Sequence, residues 1–156
     1  MNTLIIRSSS IQHLALVIKS LKRQFPESEV DVLTHKHSVE SVEAMGGIDA
    51  VLPYPSTKDF SPFAFPGPMD KNYHVIVVPT SNMNGFGYEN VLLLASRFPK
   101  SQVYLCNQNG ELTHFPLKKI LIRLLIMVTS IPVGILVACF VTLFNLGWLF
   151  VSKPKP

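Results

Sequence analysis

The pattern of apolar and polar positions switches between two periods along most of the chain. Short apolar runs such as TLII and YHVIVV are typical of strands buried on both faces. Between such runs, IQHLALVIKSLKRQF places apolar residues at Ile11, Leu14, Ala15, Ile18 and Leu21, the spacing of one helix face. Strands that alternate with helices predict a parallel sheet covered by helices.

The same reading places five strands and three helical segments before residue 116. The strands are TLIIRS, EVDVLTH, DAVLPYP, YHVIVVPT and SQVYLCNQ, and the helical segments are IQHLALVIKSLKRQF, SVESVEAMGG and GYENVLLLASRFP. We therefore predict a Rossmann-like α/β domain over residues 1–115, with a parallel sheet of about five strands and flanking helices.

The connection between the third and fourth strands, SPFAFPGPMDK, is rich in Pro, Phe and Gly and is long for a compact domain. Phe60, Phe63 and Phe65 lie in or beside it. Two interpretations stay open at this point. The rings cap an edge of the domain core, or they form a docking loop for a partner, because contiguous exposed aromatic residues mark interaction sites.

Residues 124–151 form a run without a single charged residue, LLIMVTSIPVGILVACFVTLFNLGWLFV. About 20 predominantly apolar residues are enough for a helix to cross the bilayer core. We therefore predict a transmembrane helix over 124–151. It is preceded by a basic juxtamembrane segment, 116–123, and followed by a short basic tail, 152–156.

The positive charge of the chain is concentrated around this apolar run. The sequence has 14 Lys and Arg against 10 Asp and Glu, a net charge of +4, and five of the basic residues flank the run. Basic residues beside a membrane helix attract anionic lipids. We assign the headgroup contact to Lys118, Lys119 and Arg123. No nucleic-acid partner is expected, because no RNA-binding motif or basic helix accompanies the charge.

No signal peptide is expected from the start of the sequence, because Arg7 follows the short TLII run and no small-residue cleavage site is present. The charge around the apolar run also favours a cytoplasmic N-terminal domain. We expect a single-pass protein of a bacterial inner (cytoplasmic) membrane.

Small residues recur every fourth position in the apolar run, at Ser130, Gly134, Ala138 and Thr142. This spacing stacks them on one helix face, where another helix can approach closely. We interpret the face as a contact with other membrane-protein subunits. The alternative is that small residues are simply frequent in membrane helices.

Other motifs give no cofactor or metal site. A dinucleotide-binding turn needs glycines after the first strand, and RSSS has none. His35 and His37 alternate at the end of the second strand, but no Cys, Asp or Glu close by completes a metal site. Gly85 and Gly87 could shape an anion-binding turn, although a tight turn before a helix explains them more simply.

The run LIIRSSSIQHLALVIKSLKRQFPESEVDVLTH resembles the opening of the heptosyltransferase group, family nine of the glycosyltransferases. Members of that group begin with a strand, a basic residue, Ser-Ser-Ile-Gly-Asp, a helix ending near Phe-Pro, and a second strand. The similarity continues through DAVLPYP and YHVIVVP and covers residues 3–115. It implies the N-terminal Rossmann-like domain of a glycosyltransferase.

Two positions of the turn differ from that family's pattern. The resemblance implies that the turn's Asp is a general base and that the Gly beside it makes room for the substrate. Here Gln12 stands at the Gly and His13 at the Asp. A histidine can act as a base near neutral pH. The alternative is that His13 is a partly exposed residue near a helix N-terminus.

The resemblance also implies a second half that carries the nucleotide-sugar site, where this chain has its apolar run instead. We therefore expect a non-catalytic, single-pass accessory or structural subunit of a larger membrane protein complex, with a truncated, degenerate glycosyltransferase-like domain. One alternative is the acceptor half of a split membrane-associated glycosyltransferase in envelope glycan synthesis, with His13 as its base. A third hypothesis is a sugar- or nucleotide-binding module without chemistry.

Overall fold

The structure is a computed structural model that describes residues 1–56, 58–64, 71–98, 100–116 and 118–151. Within 124–151 it describes only part of the side chains. The chain forms two compact units, Met1–Leu117 and Lys118–Pro156. The first unit carries a sheet with helices, and the second carries one long helix.

The first unit alternates strands and helices, as the hydrophobic pattern predicts. Its elements are β1 (Asn2–Ile6), α1 (Ile11–Gln24), β2 (Glu29–His35), a 3-10 helix (Lys36–Ser38), α2 (Val39–Glu43), β3 (Ala50–Tyr54), β4 (Val75–Pro79), α3 (Glu89–Ala95), β5 (Gln102–Cys106) and β6 (Leu112–His114).

The strands form one sheet in the order β3-β2-β1-β4-β5-β6. The first five pair in parallel, whereas β6 pairs antiparallel with β5. The prediction of a Rossmann-like parallel sheet is confirmed, and the strand number is corrected from about five to six. β6 escapes the sequence pattern because it has three residues and no apolar run. The Asn109-Gly110 pair before it is the local signal of a hairpin, with Gly110 at a φ of 79°.

Helix α1 packs its apolar face on the sheet. Ser10 caps the helix, because its hydroxyl oxygen accepts a hydrogen bond from the His13 backbone N–H. The buried residues of the helix are Leu14, Val17, Ile18 and Leu21, whereas Ala15, which the sequence places on this face, is exposed. Each fully buried side chain of this size stabilises the fold by about 1.5–3 kcal/mol. The sheet residues of the same core cluster are Ile5, Val30, Val32, Val75, Val77 and Cys106.

A charged group is buried in the first half of β2. Asp31 is 2% exposed, and it accepts a hydrogen bond of 2.8 Å from the Tyr73 hydroxyl. Lys71 forms an ion pair with the same carboxylate at 3.2 Å. A buried carboxylate is costly unless it is paired and hydrogen-bonded, and both conditions are met here. The cluster ties the segment before β4 to β2.

The predicted docking loop separates into a buried part and an exposed part. Phe60 is 5% exposed, with its ring 4.4 Å from that of His35 and 4.7 Å from that of Tyr54. Phe63 is 92% exposed, and Phe65 lies outside the described residues. Phe60 therefore packs in the core, and Phe63 presents its ring to solvent. The role of the loop in docking stays a prediction.

The second unit is the helix α4 (Lys118–Val151), which includes Pro132. It begins six residues before the predicted start at 124, so Lys118, Lys119 and Arg123 are part of the helix. Within the part of the chain that the structure describes, which leaves out many α4 side chains, no helix is long and apolar enough to cross a membrane. The membrane-spanning helix therefore stays a prediction.

The predicted small-residue face lies within α4. Gly134, Ala138 and Thr142 are exposed, and the side chain of Ser130 lies outside the described part. The Thr142 hydroxyl donates a hydrogen bond of 2.8 Å to the Ala138 carbonyl oxygen, so its polarity is satisfied within the helix. The role of this face in packing stays a prediction.

Candidate functional site

The carboxyl ends of β1, β2 and β4 lie side by side at one edge of the sheet, because these strands are parallel neighbours. In open α/β sheets, ligands bind at this edge, where the strand order changes direction. A cleft of about 420 Å³ lies there. We call it the Arg7 cleft; it is lined by Arg7, Ser8, Ser9, His35, Asp59, Phe60, Gly87, Tyr88, Asn90 and Val91.

Arg7 is the first residue after β1 and is held at its position by neutral oxygens. Its Nε donates to the Thr34 hydroxyl at 2.7 Å, and its two terminal nitrogens donate to the Ser38 hydroxyl at 2.7 Å and to the Ser9 carbonyl at 3.1 Å. Burial lowers the pKa of Arg7. Among the described residues, no carboxylate forms an ion pair with it.

The two serines after Arg7 differ in their hydrogen bonding. The Ser8 hydroxyl donates to the Pro79 carbonyl at 2.6 Å, which fastens the turn to the end of β4. The Ser9 hydroxyl oxygen is buried and has no hydrogen-bond partner among the described residues. Buried polar atoms without a partner are uncommon and call for an explanation.

Aromatic rings pack together on the β2 side of the cleft. His35 stacks on His37 at 5.7 Å and makes an edge contact with Tyr54 at 5.5 Å. The His35 Nδ1 lies 3.1 Å from the Ser56 carbonyl oxygen, and since a carbonyl only accepts, Nδ1 carries a proton. Over the residues described, no group of three or more His, Cys, Asp or Glu side chains is arranged to hold a metal ion.

The opposite wall comes from the loop between β4 and α3. Gly85 and Gly87 have positive φ angles of 69° and 82°, a backbone conformation that residues with a side chain rarely adopt. The Asn82 amide donates to the Phe86 carbonyl at 2.9 Å and closes the loop. The Tyr88 hydroxyl donates to the Ser81 hydroxyl at 3.1 Å. The glycines thus shape a tight turn before a helix, the simpler of the two interpretations of this motif.

His13, the candidate catalytic residue, does not line the Arg7 cleft. It faces a neighbouring cleft of about 520 Å³ that is lined by Ser9, Ser10, Gln12, His13, Leu16, Ser81, Tyr88 and Gln108. Its Nε2 lies 2.8 Å from the Asn107 carbonyl oxygen. Because that oxygen can only accept, Nε2 carries the proton and donates. Gln12, which stands where the family has glycine, is exposed.

Asn107 organises the turn to which His13 is bonded. Its side-chain oxygen accepts from the backbone N–H groups of Asn109 and Glu111 at 2.9 and 3.0 Å, and its amide donates to the Glu111 carboxylate at 2.6 Å. The turn joins β5 to β6. The bond from His13 therefore ties the first turn of α1 to the β5–β6 hairpin.

Sequence reasoning singled out His13 and treated Arg7 only as part of a motif. The structure places the cationic group of the switch-point cleft at Arg7 and gives His13 a bond to the backbone. The signal for Arg7 was present, because a basic residue that directly follows a buried first strand must lie at the carboxyl edge of the sheet.

No family model and no curated protein sequence matches this chain. Among solved structures, it is similar to the ADP-heptose LPS heptosyltransferase II of E. coli, with 17% identity, a TM-score of 0.47, and coverage of 66% of this chain and 30% of that one. It is also similar to the E. coli heptosyltransferase WaaC with ADP, with 15% identity, a TM-score of 0.43, and coverage of 71% of this chain and 36% of that one. The chain thus spans about a third of the length of these enzymes.

Proposed function

We propose that this protein is a non-catalytic, membrane-anchored accessory subunit of a larger membrane protein complex, with a glycosyltransferase-like domain at its N-terminus. One observation carries the non-catalytic part. His13, at the position that the resemblance assigns to the general base, donates its Nε2 proton to the Asn107 backbone carbonyl at 2.8 Å.

A general base needs a free lone pair within hydrogen-bond reach of the proton that it removes. The bond to Asn107 keeps a proton on Nε2, so the lone pair of the neutral ring is on Nδ1. The ring is also oriented by this bond, so that its position serves the contact between α1 and the β5–β6 hairpin. This contact supports a structural role for His13, and the variant described next separates that role from proton transfer at Nδ1.

The membrane part of the proposal rests on the sequence. The run 124–151 carries no charge and is longer than the about 20 residues that a membrane helix needs. Lys118, Lys119 and Arg123 precede it and suit anionic lipid headgroups on the cytoplasmic side. The small residues of α4 supply a face on which helices of partner subunits can pack.

The non-catalytic part is tested with His13→Gln. A glutamine side-chain amide still donates to the Asn107 carbonyl but cannot act as a base near neutral pH. We expect the variant to restore the wild-type phenotype fully when it is expressed in a deletion strain. A catalytic His13 predicts a loss of at least about 100-fold instead.

His37→Gln is the matched control, because His37 lies outside the turn. If His13→Gln fails at a normal protein level while His37→Gln succeeds, the non-catalytic proposal is wrong. That result would favour the split glycosyltransferase, in which this chain supplies the acceptor half.

The assembly part is tested with Gly134→Leu. A leucine at this position would hold a neighbouring helix away and remove van der Waals contacts, while the run stays apolar enough to insert. We expect the full chain to remain in the membrane fraction but to lose its co-purifying subunits. Leu136→Ile is the control and should keep them. Equal recovery of partners with both variants would leave the helix as a plain anchor.

A further inference from the structure

We propose that the Arg7 cleft binds a phosphate group, presented as a phosphomonoester. This inference goes beyond the accessory-subunit proposal and does not depend on it, because it concerns the edge of the sheet and not α4 or His13.

The first observation is a cation that has no counter-ion among the described residues. Arg7 is half-buried, and its described partners are two hydroxyls and one carbonyl. Removing a charge from water is unfavourable unless an opposite charge or several hydrogen bonds replace the lost hydration. A bound anion would supply the missing charge where burial already lowers the pKa of this group.

The second observation is a set of unused donors. A guanidinium has five N–H groups, and three of those of Arg7 are engaged, which leaves two for a ligand. The buried Ser9 hydroxyl has no partner among the described residues. Two N–H groups of one guanidinium suit a bidentate contact with an oxyanion, and a hydroxyl suits a further oxygen. A phosphate monoester has three terminal oxygens for these donors.

The third observation is the position of the turn. The Arg7 cleft lies where the strand order reverses between β1 and β4, and α1 begins directly after the turn. The first turn of α1 contains no acidic residue, so the positive end of its dipole is not neutralised. The dipole of α1 therefore raises the electrostatic potential beside Arg7.

One residue of the lining opposes an anion, and it provides a control. Asp59 is exposed and lines the same cleft. Its charge is partly screened by solvent, so it weakens binding without preventing it. Removing this charge should therefore tighten the phosphate contact, whereas removing the charge of Arg7 should weaken it.

The test is calorimetric titration of the full chain in a zwitterionic detergent with glycerol 3-phosphate at constant ionic strength. We expect glycerol 3-phosphate to bind saturably and glycerol, which lacks the phosphate, not to bind. Arg7→Gln should weaken binding by about 10- to 100-fold, the range of a lost charge-assisted hydrogen bond. Asp59→Asn should tighten it by about two- to five-fold. Arg23→Gln, which removes an exposed charge at the other end of α1, should change nothing.

Two results would overturn the proposal. One is the absence of saturable binding to the wild-type chain at millimolar ligand. The other is equal affinity of the wild type and Arg7→Gln. If Arg7→Gln does not fold by circular dichroism, Asp59→Asn decides, because it leaves Arg7 and its bonds in place; unchanged affinity then counts against the cleft.

A second arm identifies the source of the phosphate. The chain is mixed with vesicles of phosphatidylcholine that contain phosphatidic acid, and glycerol 3-phosphate is added as a competitor. Release of the lipid phosphate contact by the competitor in the wild type, but not in Arg7→Gln, supports a lipid headgroup as ligand. Binding of glycerol 3-phosphate that vesicles do not reduce supports a soluble phosphomonoester.

Discussion

Two parts of the same sheet hold partly buried charge in different ways. In the first half of β2, Asp31 accepts a hydrogen bond from Tyr73 and forms an ion pair with Lys71. At the carboxyl edge, Arg7 is held by hydroxyls and a carbonyl, and no described carboxylate pairs with it. Charge that is paired within the protein stabilises the fold, whereas an unpaired cation in a cleft is available to a ligand. Substitutions around Asp31 should therefore change the stability of the fold, whereas substitutions of Arg7 should change ligand binding.

The largest effect on stability is expected from Tyr73→Phe. The Asp31 carboxylate then stays buried without its hydroxyl donor, which costs about 1–3 kcal/mol of the free energy of unfolding. Urea denaturation of the full chain in detergent measures it. Tyr104→Phe is the control, because among the described residues that hydroxyl bonds only to the Gln102 side-chain oxygen, at 3.2 Å. If both variants lost the same free energy of unfolding, the hydrogen bond to the buried Asp31 carboxylate would have no special effect on stability.

Alkaline pH should weaken the paired cluster next. Burial and the hydrogen bond to Asp31 raise the pKa of Tyr73 well above its ordinary value of 10.0, the bond to Asp31 raises the pKa of Lys71, and burial raises the pKa of Cys106 to about 11. Groups with raised pKa values in the folded state stabilise it fully below their unfolded pKa. Their contributions are lost as pH rises through the folded values.

The free energy of unfolding should therefore fall above pH 9, because the unfolded chain releases protons that Tyr73 and Cys106 retain in the folded state. Urea denaturation between neutral pH and pH 11 measures the slope. Tyr73→Phe with Cys106→Ala should flatten it. A slope that is the same in this double variant would mean that other groups control alkaline stability.

His13 is expected to stabilise the fold through its hydrogen bond to the Asn107 carbonyl. His13→Ala removes the hydrogen bond to the Asn107 carbonyl and should cost about 1 kcal/mol. His13→Gln keeps a donor and should cost less than His13→Ala in the same denaturation experiment. If both variants were as stable as the wild type, the bond would contribute nothing, and a role for the ring in chemistry would gain support.

The smallest effect on stability is expected at the unpaired cation. Arg7→Gln loses hydrogen bonds to Thr34 and Ser38 but also removes a half-buried charge, so the free energy of unfolding should change by less than about 1 kcal/mol. Added glycerol 3-phosphate should raise the melting temperature of the wild type only. If Arg7→Gln were much less stable than the wild type without ligand, Arg7 would have a structural role like that of Asp31.

The parallel sheet could be predicted because strands buried on both faces leave a clear apolar pattern. The short β6 could not, since three residues at the end of a hairpin carry no period. The face of α1 was predicted except for Ala15, a residue small enough to be tolerated in either environment. The roles of Phe60 and His13 depend on contacts with distant residues, His35 and Asn107, which local sequence does not specify.

The bond between His13 and Asn107 also constrains how the sequence of this protein can change. Its acceptor is a main-chain oxygen, which is present whatever side chain stands at position 107. An aspartate at position 13 would set two acceptors against each other, and no substitution at position 107 removes the main-chain one. Natural variants are therefore expected to keep a hydrogen-bond donor at position 13, whereas position 107 is constrained by its own side-chain bonds within the turn. His13→Asp is therefore expected to lower the stability of the domain.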